Sequence, residues 1–219
     1  MNETQTLYEH GFVDITHLFD PSILHLLQQH TLSAFKAKAK RKDFISKYGG
    51  NTPRHMYTVS KENIDLHCGS VFYDFYKNTI SLLSQITNET ILETPYIPEM
   101  YVINGLNDPN DTHGWHWDDY KYALVFIAEV PPEGCGAEVE TIPHTGHLNK
   151  SIEEVLYSHI PTQSYFKENS VYLLLGEETL HRVTPIKEGY NRIGVAFTYT
   201  DDGDLLLPKN NQSINDLYS

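Results

Sequence analysis

The chain has 219 residues, 40% of them hydrophobic, with 12 His, 15 Tyr, 9 Phe and a formal net charge of −13. Such a composition is globular, and no apolar run approaches the roughly 18 residues of a membrane-spanning helix, so the chain is expected to be soluble. The acidic balance repels phosphate backbones and anionic lipid, which excludes nucleic acid and membrane as expected partners and suits a cationic small molecule.

With domains most often about 100 to 150 residues long, residues 1–219 read as one elaborated domain. Nothing in the composition excludes a homo-oligomer. The start, Met1 to Thr6, lacks the basic and apolar segments of a secretory signal, so the expected location is cytoplasmic. Cys68 and Cys135 are too few for a disulfide scaffold or a cysteine zinc module, and both are expected as free thiols.

In chain order, Phe19-Asp20-Pro21-Ser22 opens a helix, with Asp20 as N-cap and Pro21 at its first position, and the apolar spacing carries it to about residue 39. The cationic run Lys36, Lys38, Lys40, Arg41 and Lys42 reads as its solvated end, where cations favour the negative pole of the helix. Tyr48 to Pro53 is a turn by its Gly and Pro content, and Arg54 to Val59 resumes as an extended segment. From Ser70 to about Thr87, Val71, Phe72, Phe75, Tyr76, Ile80, Leu83 and Ile86 recur at helical spacing, a scaffold helix for a sheet.

The helical part thus spans about 1–90. Beyond it the texture changes. Met100–Ile103, Ala123–Ile127, Ser170–Leu175 and Arg192–Tyr199 are short strands separated by turns, which predicts a barrel core over about 96–200, an antiparallel sandwich or jelly roll. The overall class is α+β, mainly β. Residues 149–167 read as an insertion with a short helix at 152–156, and the polar tail 201–219 as partly ordered.

The stretch His113-Gly114-Trp115-His116-Trp117-Asp118-Asp119-Tyr120 carries the chemistry. Residues two apart on a strand share a face, so His116 and Asp118 can grip one metal ion while Trp117 points away. A His-x-Asp pair alone is common. Here it is joined by a distal His181 and, eleven residues further on, by Arg192. Two imidazoles and one carboxylate on one side of an ion, with open positions opposite, is the arrangement of non-haem Fe(II) oxygenases. His144 and His147 lie on a loop without a third partner and read as solvated or as lining a lid.

His116-x-Asp118, His181 in its His-x-Val-x-Pro context and Arg192 together resemble the iron(II)- and 2-oxoglutarate-dependent dioxygenases. The resemblance implies a double-stranded β-helix, a cupin-like barrel with the N-terminal helices packed on one sheet. It also implies catalytic iron on His116, Asp118 and His181, with O2 and 2-oxoglutarate as co-substrates. Arg192 would receive the far carboxylate of 2-oxoglutarate, because guanidinium offers that group two parallel, permanently charged donors.

A narrower likeness follows from Pro53-Arg54-His55-Met56, Pro98-Glu99-Met100, His113-Gly114-Trp115-His116, Asp119-Tyr120 and Thr198. These are similar to the free-amino-acid radical halogenases and hydroxylases, lysine-type enzymes among them. The likeness implies that Arg54 and His113 hold a substrate α-carboxylate, while Glu99, Asp119 and Thr198 face its polar and ammonium groups. Halogenating members replace the metal carboxylate by a small residue. Asp118 retains it, so the implied reaction is hydroxylation of an unactivated C–H of a free basic, lysine-like amino acid, with release of succinate and CO2. Ala196 departs from the polar contact expected near that position. The alternatives are oxygenation of a peptide or protein side chain, and a non-catalytic, metal-binding cupin-like module.

Overall fold

A computed structural model describes residues 2–47, 50–206, 209, 211, 215 and 217. The Asn2 side chain accepts from the backbone N–H of Gln5 and opens α1 (Glu3–His10), which leads into β1 (Phe12–Asp14). The expected cap at Asp20 forms: its carboxylate accepts from the Ser22 N–H, Pro21 takes the first turn, and α2 runs Pro21–Lys38.

The cationic run is divided differently from the expectation. Lys36 and Lys38 close α2, but Lys40, Arg41 and Lys42 lie on β2 (Lys40–Ser46), which pairs along its whole length with β3 (Thr52–Val59). Long-range pairing overrides the helix-end reading here. Arg41 donates to Asp43 and, at 2.6 and 2.7 Å, to both oxygens of the buried Asp111. Of the predicted turn, Tyr48 and Gly49 lie outside the described residues, while Asn51 has a positive φ of 55°.

Next come α3 (Lys61–Cys68) and α4 (Val71–Thr87). The latter buries Phe72, Phe75, Tyr76, Leu83 and Ile86 on the predicted face, and Asn88 ends it in the left-handed conformation. The short α1 and α3 were not read from the sequence. Each spans eight residues and buries one or two side chains, too few to show a period.

The rest is strand with one more helix: β4 (Ile91–Glu93), β5 (Tyr101–Leu106), β6 (Thr112–His116), β7 (Tyr122–Glu129), β8 (Val139–Ile142), α5 (Ile152–Ser158), β9 (Thr162–Ser164), β10 (Val171–Leu175), β11 (Leu180–Val183) and β12 (Arg192–Asp201). A reciprocal capping box between Ser151 and Glu154 starts α5 inside the predicted insertion.

One antiparallel sheet runs in the order β1-β10-β7-β12-β5-β3-β6-β11-β8-β9. It folds back on itself at β3, whose end Tyr57–Val59 pairs with β5 while its start, Arg54–His55, pairs with β6. The expected mainly β, double-stranded β-helix is therefore what forms, and the long interval between His116 and His181 closes across neighbouring strands. The helices cover one layer. Phe72 and Phe75 of α4 meet Phe197 of β12, and Phe35 of α2 lies against Gly105 of β5, where a Cβ would come within 2.3 Å of the ring.

Both cysteines are free thiols. No helix among the described residues is long and apolar enough to cross a membrane. The described residues of the tail are better anchored than its polarity suggests. Asp204–Leu206 forms a 3-10 turn, Lys209 pairs with Glu177 and Asp204, and Leu217 packs with Met56, Leu106 and Val183. Residues 207–208, 210, 212–214, 216 and 218–219 of that expected tail lie outside the described residues.

Candidate active site

His116 ends β6, and its directly opposite partner on β11 is His181. Each imidazole is fixed by its own backbone. Nδ1 of His116 lies 2.8 Å from the Gly114 carbonyl, and Nδ1 of His181 lies 2.8 Å from the Thr179 carbonyl. A carbonyl only accepts, so both Nδ1 atoms carry the proton and both Nε2 lone pairs are left available. Burial, with His113, His181 and Arg54 nearby, holds His116 well below the ordinary imidazole range and so keeps it neutral.

Asp118 reaches the same point by a different route from the one expected. β6 stops at His116, so strand alternation does not place the carboxylate. Instead the Asp118 N–H donates to the Gly176 carbonyl at 3.0 Å, which turns the side chain inward from the loop. Its Oδ1 lies 3.6 Å from Nε2 of His116 and 3.6 Å from Nε2 of His181, and the three donor atoms fall within 4.8 Å of one another. Two imidazoles and a carboxylate at this spacing fit an iron(II) ion, with the cavity side left open. Among the described residues no other group of three His, Cys, Asp or Glu side chains is placed to hold an ion.

Gly176 makes this arrangement possible. A Cβ there would lie 2.3 Å from Oδ2 and 2.8 Å from Cβ of Asp118. Gly176→Ala is expected to displace Asp118 and weaken iron binding by about 10- to 100-fold, the scale seen when a ligand's support is lost. Anaerobic Fe(II) titration checks this. Unchanged affinity would mean that the loop absorbs the methyl group without moving the carboxylate.

Trp117 packs with the cluster of Trp115, Ile142, Ile152, Val155 and Leu180 and donates from Nε1 to Thr145 Oγ1 at 3.0 Å. His113 stacks on His116, with centroids 4.1 Å apart and planes 18° from parallel, and burial lowers its proton affinity far below normal.

Opposite His113, Arg54 of β3 is 3% exposed. Its Nη1 donates to Thr52 Oγ1 at 2.9 Å and to the carbonyls of Pro53 and Gly114 at 3.2 Å, and burial lowers its pKa to about 10. Arg192, first on β12, is 6% exposed and is also lowered by burial, against the opposing influence of the Tyr172 hydroxyl. Neither arginine forms an ion pair with a carboxylate among the described residues. A buried, uncompensated guanidinium is costly, and a bound anion relieves that cost.

Glu99 lies in the 3-10 turn Ile97–Glu99 before β5 and is 4% exposed. Its Oε2 has no hydrogen-bond partner among the described residues. Burial, with Asp119 and Asp118 behind it, pushes its pKa up to about 9, against the opposing charge of Lys209. Asp119 and Thr198 line the same space.

All nine predicted residues, His116, Asp118, His181, Arg192, Arg54, Glu99, His113, Asp119 and Thr198, border one cavity of about 300 Å³. So do Tyr172, Glu177, Lys209 and Leu217, which sequence reasoning missed. Tyr172 had a readable signal. On β10, Val171, Leu173 and Leu175 join the core under the helices, whereas Tyr172 and Leu174 alternate to the cavity side. Lys209 and Leu217 belong to no periodic segment, and nothing in the sequence marks them. Ala196 also lines the cavity, where a polar contact was expected.

The folded-back sheet brings two histidines and an aspartate to one point where they can hold a metal ion, the facial arrangement that suits iron(II) in non-haem oxygenases. The chain belongs to the Halogenase D family, whose profile matches residues 1–219. No curated protein sequence matches the chain. Among solved structures it is similar to AviO1 from Streptomyces viridochromogenes Tue57, with a TM-score of 0.72 and 13% identity over 95% of this chain and 96% of that one. It is also similar to an oxidoreductase of the 2OG-Fe(II) oxygenase family from Burkholderia pseudomallei, with a TM-score of 0.64 and 12% identity over 90% and 89% of the two chains. A third, with a TM-score of 0.62 and 12% identity over 94% and 91%, is a prolyl hydroxylase in complex with a hypoxia inducible factor peptide fragment, from Trichoplax adhaerens. At these identities the likeness is one of fold.

Proposed function

We propose that the whole 219-residue chain acts as a hydroxylase of a free basic amino acid, lysine-like in its charges. The observation that carries this reading is the presence of two buried groups of opposite charge type, neither in an ion pair among the described residues, in one small cavity. Among the described residues Arg54 is a buried cation that forms no ion pair with a carboxylate, and Glu99 is a buried carboxyl whose Oε2 has no hydrogen-bond partner. A zwitterion with a second ammonium group satisfies both, the α-carboxylate at Arg54 and His113 and the side-chain ammonium at Glu99, Asp119 and Thr198.

His116, Asp118 and His181 would hold the iron, and Arg192 the far carboxylate of 2-oxoglutarate. When bound, the iron couples oxidative decarboxylation of 2-oxoglutarate to oxidation of a C–H bond. The protein's contribution is orientation: Arg54 and Glu99 fix both ends of the substrate, so that one carbon is presented to the open side of the triad. Asp118 supports hydroxylation over halogenation, because its carboxylate occupies a place beside the two imidazoles that a halide would need.

Incubation with Fe(II), ascorbate, 2-oxoglutarate and each amino acid in turn should give stimulated succinate and a product heavier by one oxygen for a basic amino acid. Succinate unaffected by any amino acid would remove the substrate assignment. Turnover on peptides alone would transfer it to a peptide side chain, and a chlorinated product in chloride buffer would overturn the reading of Asp118.

A further inference from the structure

Glu99 sits where a negative charge is hard to keep. It is 4% exposed, its Oε2 is unpartnered among the described residues, and the charged groups among them that act on it either repel a carboxylate or are already engaged. Asp118 and Asp119, on the loop after β6, are like charges. Tyr120, on the same loop, is a phenol whose proton affinity burial raises further. The cation that acts on Glu99, Lys209 of the tail, is already paired with Glu177 at 3.0 Å and with Asp204. Lys61 and Asp65 of α3, the helix packed on the Glu99 turn, pair with each other at 2.7 Å, and Tyr101 of β5 donates to Asp65 at 2.5 Å.

We propose that the cavity takes up the cationic group of its substrate in exchange for a proton from Glu99. In the free protein Glu99 is a neutral acid. The arriving ammonium keeps all its protons, the Glu99 O–H bond breaks, the carboxylate pairs with the ammonium, and the released proton passes to solvent. This rests on the reading that Glu99 faces the substrate's ammonium group.

Burial of a carboxyl whose Oε2 is unpartnered among the described residues favours a protonated resting state at neutral pH, and a pKa of about 9, set first by that burial, agrees with it. A bound ammonium reverses the local charge and lowers that value. The sign follows. Between the lowered value and about 9, the protein sheds a proton on binding, so affinity for a cation rises with pH by up to about tenfold per unit. A neutral ligand of the same shape shows no such dependence. The exchange makes the site selective for charge, since an uncharged side chain leaves Glu99 protonated and gains no ion pair.

The test is calorimetric titration of L-lysine into protein loaded with Fe(II) and 2-oxoglutarate under anaerobic conditions, near neutral pH, in phosphate and in Tris. The difference in observed heat between buffers counts protons. About one should be released per lysine bound, the full linkage count for one group passing from acid to carboxylate. Norleucine, which lacks the side-chain amine, should release none, and the Glu99→Gln variant should release none with lysine.

An infrared difference spectrum between the free wild-type holoprotein and Glu99→Gln should show a protonated-carboxyl C=O stretch, with no ligand involved. Lysine binding without proton release, or absence of that band, would overturn the exchange. Failure of every basic amino acid to bind, with the band present, would overturn the substrate reading and the exchange with it, and so separates that failure from the first.

Discussion

Asp118→Gly is expected to abolish amino-acid-dependent succinate formation and to weaken Fe(II) binding by more than the roughly 10- to 100-fold that loss of a ligand's support costs. The carboxylate is the one anionic donor of the three, and its Oδ1 faces both Nε2 atoms at 3.6 Å. Its removal leaves two imidazoles to hold a divalent cation in a cavity that also contains Arg54. Anaerobic titration with Fe(II) and 2-oxoglutarate, followed by the weak visible charge-transfer absorption of the chelate, measures binding apart from turnover. The same titration separates the enzyme from a non-catalytic metal module, which lacks the chelate band.

Asp118→Glu should fail as well, for a steric reason. Gly176 already stands so close that an added methyl group would lie 2.8 to 2.9 Å from Cβ and Cγ of Asp118, so a longer side chain has no room on that side. Hydroxylation is not expected to give way to chlorination in Asp118→Gly, because a halide needs a supporting pocket as well as a free coordination place. Undiminished hydroxylation in that variant would take Asp118 off the iron.

The order of residues in the chain made the triad legible, though not the local structure that builds it. The antiparallel register sets His116 opposite His181, and a register shift in the same strand pair lets His113, three residues earlier, face the same cavity. Strand alternation does not reach Asp118, which lies beyond the end of β6 and is placed by a loop hydrogen bond to Gly176 that no periodic pattern announces. Likewise α2 and α4 were readable because Asp20-Pro21 and a long apolar stripe state them locally. β2 was not: its three consecutive cations suit a helix end as well as a strand, and pairing with β3 decides between them. Lys209 and Leu217 reach the cavity through tertiary contacts alone.

Arg192→Met is expected to raise KM for 2-oxoglutarate by about 100-fold or more, since truncating one partner of a buried charge pair costs about 3 kcal/mol. The loss should fall on KM, with kcat largely recovered at saturating co-substrate, because the proposed contact is made to the end of 2-oxoglutarate remote from the reacting atoms. Arg192→Lys should be intermediate, since a point charge keeps attraction to a carboxylate without the two parallel donors.

Stability should move the opposite way. With no anion bound, Arg192 is a buried guanidinium lacking a carboxylate partner among the described residues, and burial lowers its proton affinity with only the Tyr172 hydroxyl in opposition. Methionine removes that desolvated charge, so the ligand-free variant should melt at or above the wild-type temperature. Added 2-oxoglutarate should then raise the melting temperature of the wild type and leave that of the variant nearly still, because a ligand stabilises a protein only in proportion to how tightly the native state binds it. An unchanged KM together with an unchanged thermal response would place the far carboxylate elsewhere in the cavity, and Arg54 would be the next cation to test.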